Sequence, residues 1–289
     1  MTEGGNKYRM AGIGEILWDL LPDGRQLGGS PMNVVYHCNA AGINSVVVSA
    51  VGRDSNGKEI LDLVVKKGNS TRFIQTLDSH PTGTVSVKLD KGIPDFTIHN
   101  DVAWDYIPWN DELMELSKSI DAVAFGSLAQ RNEVSRGTIR RFISNMKPGS
   151  IRDFDINLRQ DFHSIEILGR SLELATILKI NDEELPVLAK YYGLSGSDYQ
   201  VARDLMKMFN LDLIALTRGS KGSTLFAGEI ISVKNAPEVE IKDTVGAGDT
   251  FTGVMIAGLL KNKSIEEIHK DAVEAAAWVC SKEGGTPPY

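Results

Sequence analysis

The stretch Asp243-Thr-Val-Gly-Ala-Gly-Asp249-Thr runs straight into an apolar segment and carries the residue types and spacing best suited to chemistry. Asp243 and Thr244 punctuate the end of an extended stretch, and Gly246 and Gly248 allow a tight turn that other residues resist. Phe251, Val254, Met255, Gly258 and Leu259 then recur three and four apart, which predicts a helix with one apolar face. A helix start leaves several N–H groups unpaired and carries about half a positive charge. With no side chains at Gly246 and Gly248, those donors can approach an anion, most naturally a phosphate. Asp249 stands in the first turn beside the same spot, where its carboxylate would repel a bound phosphate. Its presence makes sense if it takes a proton from an attacking hydroxyl while the N–H groups stabilise the phosphoryl group under attack. The same residues also suit an acid that only complements the helix dipole, and by themselves they leave both readings open.

The elements that must position this stretch alternate. Tyr8 to Ile16 reads as a buried strand that Leu17 to Pro22 continues toward a turn, and Gly28-Gly29-Ser-Pro-Met-Asn33 as a turn opening a helix, with Pro31 suited to a first helical position. Strands are expected at Ser45 to Val51, Thr71 to Thr76, Asp121 to Phe125, Arg152 to Arg159, Ala175 to Ile180 and Leu213 to Thr217. Helices are expected at Gly57 to Lys66, Asn132 to Met146 and Ser164 to Glu173, with two more up to Phe209. Gly222 to Ser232 reads as a hairpin, and Ser264-Ile-Glu-Glu267 as the capping box of the last helix. From Thr82 to Ile98 the pattern becomes alternating, Val85, Val87 and Leu89 and then Phe96 and Ile98, which predicts a two-stranded excursion. Such a hairpin is marginal alone, so it is expected to lie over the main body as a lid or to pair with a second copy. Strands separated by helices imply a mostly parallel sheet covered on both faces, here one α/β domain over 1–289 with a β lid from about 15–28 and 82–105.

Ligands of such sheets bind past the carboxyl ends of the strands. Asp19, Gly28 and Gly29, Asn157 and Arg159, Asn181 to Glu184, Thr217 to Gly222 and Gly246 to Asp249 all fall there. Some of the candidates have a plainer alternative: Arg159 as a solvated arginine, Asn33 as a cap, and Asn181 with Glu184 as a reciprocal cap. Gly12-Ile-Gly14 lacks the third glycine of a dinucleotide fingerprint, and Gly52 to Glu59 puts Glu59 where a P-loop needs Ser or Thr. His163 and the other four histidines make no ligand-spaced pair, Ser144-Asn-Met-Lys147 sits in an amphipathic helix, and no nucleophile elbow occurs.

The 289 residues, 42% hydrophobic and 24% charged, describe an ordinary globular protein, and a net charge of −7 argues against nucleic-acid or anionic-membrane partners. Cys38 and Cys280 are far apart and fit a reduced cytoplasm. Met1 to Arg9 is polar, unlike a signal sequence, and no apolar run reaches membrane-spanning length.

Taken together, Gly28-Gly29-Ser-Pro-Met-Asn33 with Gly42 and Gly52 downstream resembles the first signature of the ribokinase-like carbohydrate kinases, the PfkB type. Asp243 to Gly253 resembles the second, Asn181-x-x-Glu184 the short magnesium and phosphate motif, and Thr217 to Gly222 the nucleotide turn, all in family order. Asp153-Phe-Asp-Ile-Asn157-Leu-Arg159 and Gly14-Glu-Ile-Leu-Trp-Asp19 look most like bacterial fructokinases, while Val35 and Val254 stand where the family keeps small residues. The resemblance implies a ribokinase-like doubly wound fold and transfer of the γ-phosphoryl of ATP to a primary sugar hydroxyl, with D-fructose favoured. 2-Keto-3-deoxygluconate or ribose on the same machinery, and a non-catalytic binding regulator on the same fold, are its rivals. It implies Asp249 as base with Gly246, Ala247 and Gly248 as the anion hole, and Asp19, Gly28, Gly29, Asn33, Asn157 and Arg159 on the sugar under Phe96 of the lid. It further implies Asn181, Thr217, Gly219, Gly222, Ala276 and Cys280 around the nucleotide, and Glu184 near Mg2+ through water. Family members often bind K+ through carbonyls near Asp243 and Val245, and a homodimer through the lid is a further expectation.

Overall fold

The computed structural model describes residues 8–21, 24–90 and 93–289, with side-chain positions excluded for 87–90 and 93–96. The chain begins β1 (Arg9–Ile13), β2 (Leu17–Leu21), β3 (Gly24–Gly28), α1 (Ser30–Ala40), β4 (Asn44–Gly52) and α2 (Ser55–Lys66). It continues β5 (Ile74–Leu77), β6 (Gly83–Asp90), β7 (Ile93–Ile98), α3 (Asp111–Ser119), β8 (Ala122–Gly126) and α4 (Glu133–Ser144). Then come β9 (Ile151–Asp155), α5 (Ile165–Leu174), β10 (Ile177–Asn181), α6 (Leu185–Tyr192) and α7 (Asp198–Phe209). The last third holds β11 (Leu213–Thr217), β12 (Ser223–Ala227), β13 (Ile230–Lys234), α8 (Ala247–Leu260) and α9 (Ile265–Cys280).

Nine strands form the main sheet in the order β13-β12-β11-β10-β9-β8-β1-β4-β5. Pairing is parallel from β5 through to β11 and antiparallel only for β11-β12-β13 at one edge. Strand residues alternate between the two faces of the sheet. Leu178, Ile180, Ile214 and Leu216 join residues of α3 to α7, including Leu113, Phe142, Leu172, Leu188 and Leu205. Ile177, Leu213 and Ala215 pack with Phe251, Met255 and Ile268, and Met10, Val47 and Val51 with Val35, Ile60 and Val64. Helices therefore cover both faces, which is why the strands read as near-continuous apolar runs. Each fully buried Leu, Ile or Phe stabilises by about 1.5–3 kcal/mol, so hydrophobic burial holds this frame.

β1, β4 and β5 run outward one way and β8 to β11 the other, so the strand order reverses between β1 and β8. A crevice for ligand opens at such a reversal, beyond the carboxyl ends of the strands. The predicted strand from Tyr8 to Ile16 is cut short there. Gly14 takes φ 149 and donates its N–H to Val48, and the chain leaves the main sheet to enter a second one. That sheet has four strands in the order β3-β2-β6-β7, so the excursion at 82–98 is paired with 17–28 rather than isolated. α3, which the sequence reading did not single out, is capped by Asn110, whose side chain accepts from the Leu113 N–H. The last helix is capped by Ser264 and Glu267 as expected.

α8 is not a one-faced helix. Phe251 and Met255 are buried as expected, but so are Ile256, Ala257 and Leu260, while Val254 and Leu259 are only half covered. It lies between α1 and α9, and glycines set the distance. A Cβ at Gly253 would come within 2.9 Å of the Val34 carbonyl oxygen, and one at Gly258 within 2.7 Å of Ile268. Val35 is also accommodated by a glycine, because its Cγ2 would lie 2.9 Å from a Cβ at Gly12.

Candidate active site

Gly246 is the N-cap of α8 in the left-handed conformation, φ 77, and a Cβ there would lie 2.5 Å from the Gly285 Cα. Its glycine is thus required twice, by backbone conformation and by the close pass of the C-terminal segment. Gly248 has a different reason. It lies within ordinary helix, and the missing Cβ leaves room for the Lys179 ammonium, which would be 3.0 Å away. Ala247 donates to the Thr244 carbonyl at 3.4 Å, and Thr250 donates to Gly246 at 2.8 Å. Among the described residues no acceptor is found for the N–H of Gly248 or Asp249, so these donors remain at the mouth of the helix.

Asp243 and His37 brace this mouth from below. Asp243 accepts from the Val245 N–H at 2.9 Å and from the Gly284 N–H at 3.0 Å. His37, fully buried on α1, lies 2.9 Å from the Gly285 carbonyl and 2.9 Å from the Thr250 hydroxyl, which donates to Gly246. Burial lowers the His37 pKa to about 4, so the ring is neutral and its Nε2–H serves the Gly285 carbonyl. The sequence reading missed His37, and nothing local marks it, since its partners are more than 200 residues away.

Asp249 is half-buried, and its carboxylate is held by α1. Ser30 Oγ donates to one oxygen at 2.6 Å and Asn33 Nδ2 to the other at 2.8 Å. Asn33 thus faces the site rather than capping its own helix, whose N-cap is Gly29 at φ 111. A Cβ on Gly29 would collide with the Glu15 carbonyl oxygen, and one on Gly28 with the Asp19 carboxylate. The Gly-Gly turn therefore exists to bring α1 and β3 against the ends of β1 and β2.

Around Asp249 the small-sheet side gathers charge. Burial, opposed by Arg159 and reinforced by Asp249, pushes Asp19 up to about 6. Glu15 is fully buried, and burial pushes it up to about 7, with the Asp249 charge adding and hydrogen bonds from backbone N–H groups opposing. Glu15 is a second residue the sequence reading left without a role, although an acid two residues past an apolar strand was a visible signal. Arg159 is exposed, with Nη1 on the Leu158 carbonyl at 3.2 Å. Asn157 holds φ 37, a conformation uncommon outside glycine and a mark of a constrained loop. Phe96 lies on β7, and its side chain is outside the described residues.

Toward β11 the polar groups are mutually ordered. Asn181 Oδ1 accepts from the N–H of Glu183 and Glu184, and Glu184 accepts from the N–H of Asn181 and of Leu158. The reciprocal arrangement anticipated for Asn181 and Glu184 is present, and it also ties down the loop carrying Asn157 and Arg159. Thr217 stands beside Asn181 in the parallel register of β10 and β11. Gly219 at φ 53 and Gly222 at φ 91 close the next turn, where a Cβ on Gly222 would collide with the Lys234 carbonyl. Cys280 contributes its carbonyl, which accepts from Lys242 and Asp243, and Ala276 packs against the core beneath α8 and α9. Below the mouth, Lys179 on β10 pairs with Asp155 of β9 at 3.0 Å. Asp153, wholly buried, has no hydrogen-bond partner among the described residues, and burial together with Asp155 raises its pKa well above the ordinary carboxylate value.

This frame and helix mouth define a ribokinase-like kinase. The chain belongs to the pfkB family of carbohydrate kinases, whose pattern matches residues 24–289. An uncharacterized sugar kinase from Pyrococcus horikoshii is 31% identical over 95% of this chain and 91% of its own length. Its structure in complex with ATP superposes with a TM-score of 0.83, covering 96% of this chain and 94% of that one. A fructokinase from Salmonella typhimurium is 29% identical over 86% of this chain and 84% of its own. A Vibrio cholerae fructokinase solved with fructose, ADP and calcium shares the fold at TM-score 0.82 and 23% identity, covering 98% and 96% of the two chains. No helix among the described residues is long and apolar enough to cross a membrane.

Proposed function

We propose that this carbohydrate kinase transfers the γ-phosphoryl group of ATP to the primary hydroxyl of D-fructose, giving fructose 6-phosphate. The observation that carries the reading is the Asp249 carboxylate, held by Ser30 and Asn33 beside the unpaired N–H groups of Gly248 and Asp249. Two donors on this carboxylate fix its direction, as a general base requires. Asp249 takes the hydroxyl proton while the sugar oxygen bonds to the γ-phosphorus. The bond from that phosphorus to the β-phosphate oxygen breaks, and its electron pair leaves on ADP. The turn Gly246, Ala247 and Gly248 forms the anion hole, and the N–H groups of Gly248 and Asp249 donate to the moving group, whose charge spreads over its outer oxygens.

Asp19, Gly28, Gly29, Asn33, Asn157 and Arg159 form the sugar side, with the four-stranded sheet as a lid carrying Phe96. Asn181, Thr217, Gly219, Gly222, Ala276 and Cys280 border the nucleotide. Mg2+ fits the donor set through water: both Glu184 oxygens already accept backbone N–H groups, leaving them to orient coordinated water. When bound, Mg2+ supplies charge neutralisation to the phosphates. K+ binding fits backbone carbonyls near Val245 better than the Asp243 carboxylate, both of whose oxygens accept N–H bonds. The fructokinase relative and the fructokinase-like run Asp153 to Arg159 support fructose as acceptor. A lid-mediated homodimer belongs to the same reading.

A coupled ADP-release assay over fructose, 2-keto-3-deoxygluconate and ribose tests the acceptor. Fructose is expected to give the highest kcat/KM. A tenfold preference for either rival would reassign the acceptor while leaving the mechanism intact.

A further inference from the structure

Lys179 is buried, 8% exposed, in the middle of a strand where Ile177, Leu178 and Ile180 are apolar. Taking an ammonium out of water costs several kcal/mol, and replacing a buried ion pair with apolar residues is often neutral or stabilising. Packing alone therefore gives no reason for a lysine here. Its neighbours Leu178 and Ile180 join the core of α3 to α7, so its side chain projects to the opposite face, toward α8. There Asp155, its register partner on β9, accepts from Nζ at 3.0 and 3.2 Å. The ammonium ends directly under Gly248, with Nζ at 3.0 Å and Cε at 3.5 Å from where a Cβ would stand. An ammonium has three N–H bonds, and Asp155 is its only hydrogen-bond partner among the described residues. Burial pulls its pKa down, but Asp155 and Glu184 more than offset that, so the charge persists at neutral pH.

We propose that Lys179 is a catalytic residue of phosphoryl transfer: an N–H not taken by Asp155 donates to an outer oxygen of the γ-phosphoryl group as it passes over Gly248. Asp155 then holds the ammonium in position, and Gly248 is glycine to let it reach the mouth. The inference rests on reading the α8 mouth as the phosphoryl site. No proton leaves Lys179; the hydroxyl proton goes to Asp249. What Lys179 contributes is a fixed positive charge in a water-poor setting, where charge stabilisation acts most strongly.

The test compares the parent, Asp155→Asn with Lys179→Met together, and Gly248→Ala. The double variant removes both charges of the pair, so it separates a catalytic role from simple pairing with Asp155. We expect it to melt within a few degrees of the parent, keep KM for both substrates within about fivefold, and lose kcat by about 100-fold or more, the scale of one lost transition-state donor. A folded double variant turning over within about threefold of the parent overturns the assignment. Should that variant not fold, Gly248→Ala decides, because it changes no charge and favours helix by about 1 kcal/mol. Its kcat is expected to fall at least tenfold, and parental kcat overturns the proposal. A parent that phosphorylates no sugar would instead sink the kinase reading itself.

Discussion

On the small-sheet side of the cleft, the groups facing Asp249 are charged side chains, Glu15, Asp19 and Arg159. The side toward β11 and α9 is formed largely by backbone at Gly219, Gly222, Gly246 and Gly285. A sugar presents neutral hydroxyls in a particular stereochemistry, which directed side chains can read. A triphosphate presents dense negative charge, which side-chain carboxylates would repel and backbone N–H groups welcome. One half should therefore respond to changes of charge and pH, and the other to any added Cβ. Asp249 and Lys179 stand on the line between them.

The largest effect should come from that line. Asp249→Asn is expected to lower kcat by about 100-fold or more with ATP affinity largely intact, the usual scale for losing a general base. Near-native turnover in steady-state assays would remove Asp249 from the mechanism. Gly246→Ala should follow, because its left-handed φ costs about 1–2 kcal/mol in any other residue and the methyl meets Gly285. We expect kcat/KM for ATP to fall more than tenfold while KM for sugar stays within about threefold. An equal loss in both would break the division into two halves.

Arg159→Ala tests the other half, with KM for sugar rising about tenfold and KM for ATP moving little; the reverse pattern would place Arg159 on the nucleotide. The smallest expected effect is on stability. Glu15 shifts from about 4.5 to about 7, so between those values the folded state binds more protons than the unfolded one. Stability without ligand therefore falls as pH rises through that window, and the full penalty is present above about 7. Glu15→Gln, neutral throughout, should gain nothing near pH 4.5 and about 1–3 kcal/mol over the parent at pH 8. Urea denaturation at the two pH values measures this, and a gain independent of pH would show that burial does not perturb Glu15.

The parts legible in the sequence were those whose signal lies within one short stretch. Gly246 to Asp249 announced a helix mouth because glycine, acid and apolar period occupy consecutive positions. Asn181 and Glu184 were legible because a reciprocal cap is a local exchange of hydrogen bonds. The departures arose where one glycine redirects the chain, as at Gly14, or where a helix is covered on several sides, as α8 is. Lys179 had a signal that could have been read. A lysine inside Ile177-Leu-Lys-Ile-Asn181, with two aspartates at alternate positions in Arg152-Asp-Phe-Asp155, marks two buried strands whose charges must meet.

By itself, the order of residues determined the alternation of strands and helices, the glycine turns and the acid at the head of α8, since backbone preference and periodicity act over a few residues. Only the tertiary structure decided that Ser30 and Asn33 hold Asp249, that His37 braces Gly285, and that Lys179 rises beneath Gly248. Those contacts join segments from about 70 to 250 residues apart, and they follow from sheet register and helix packing, which no local pattern encodes.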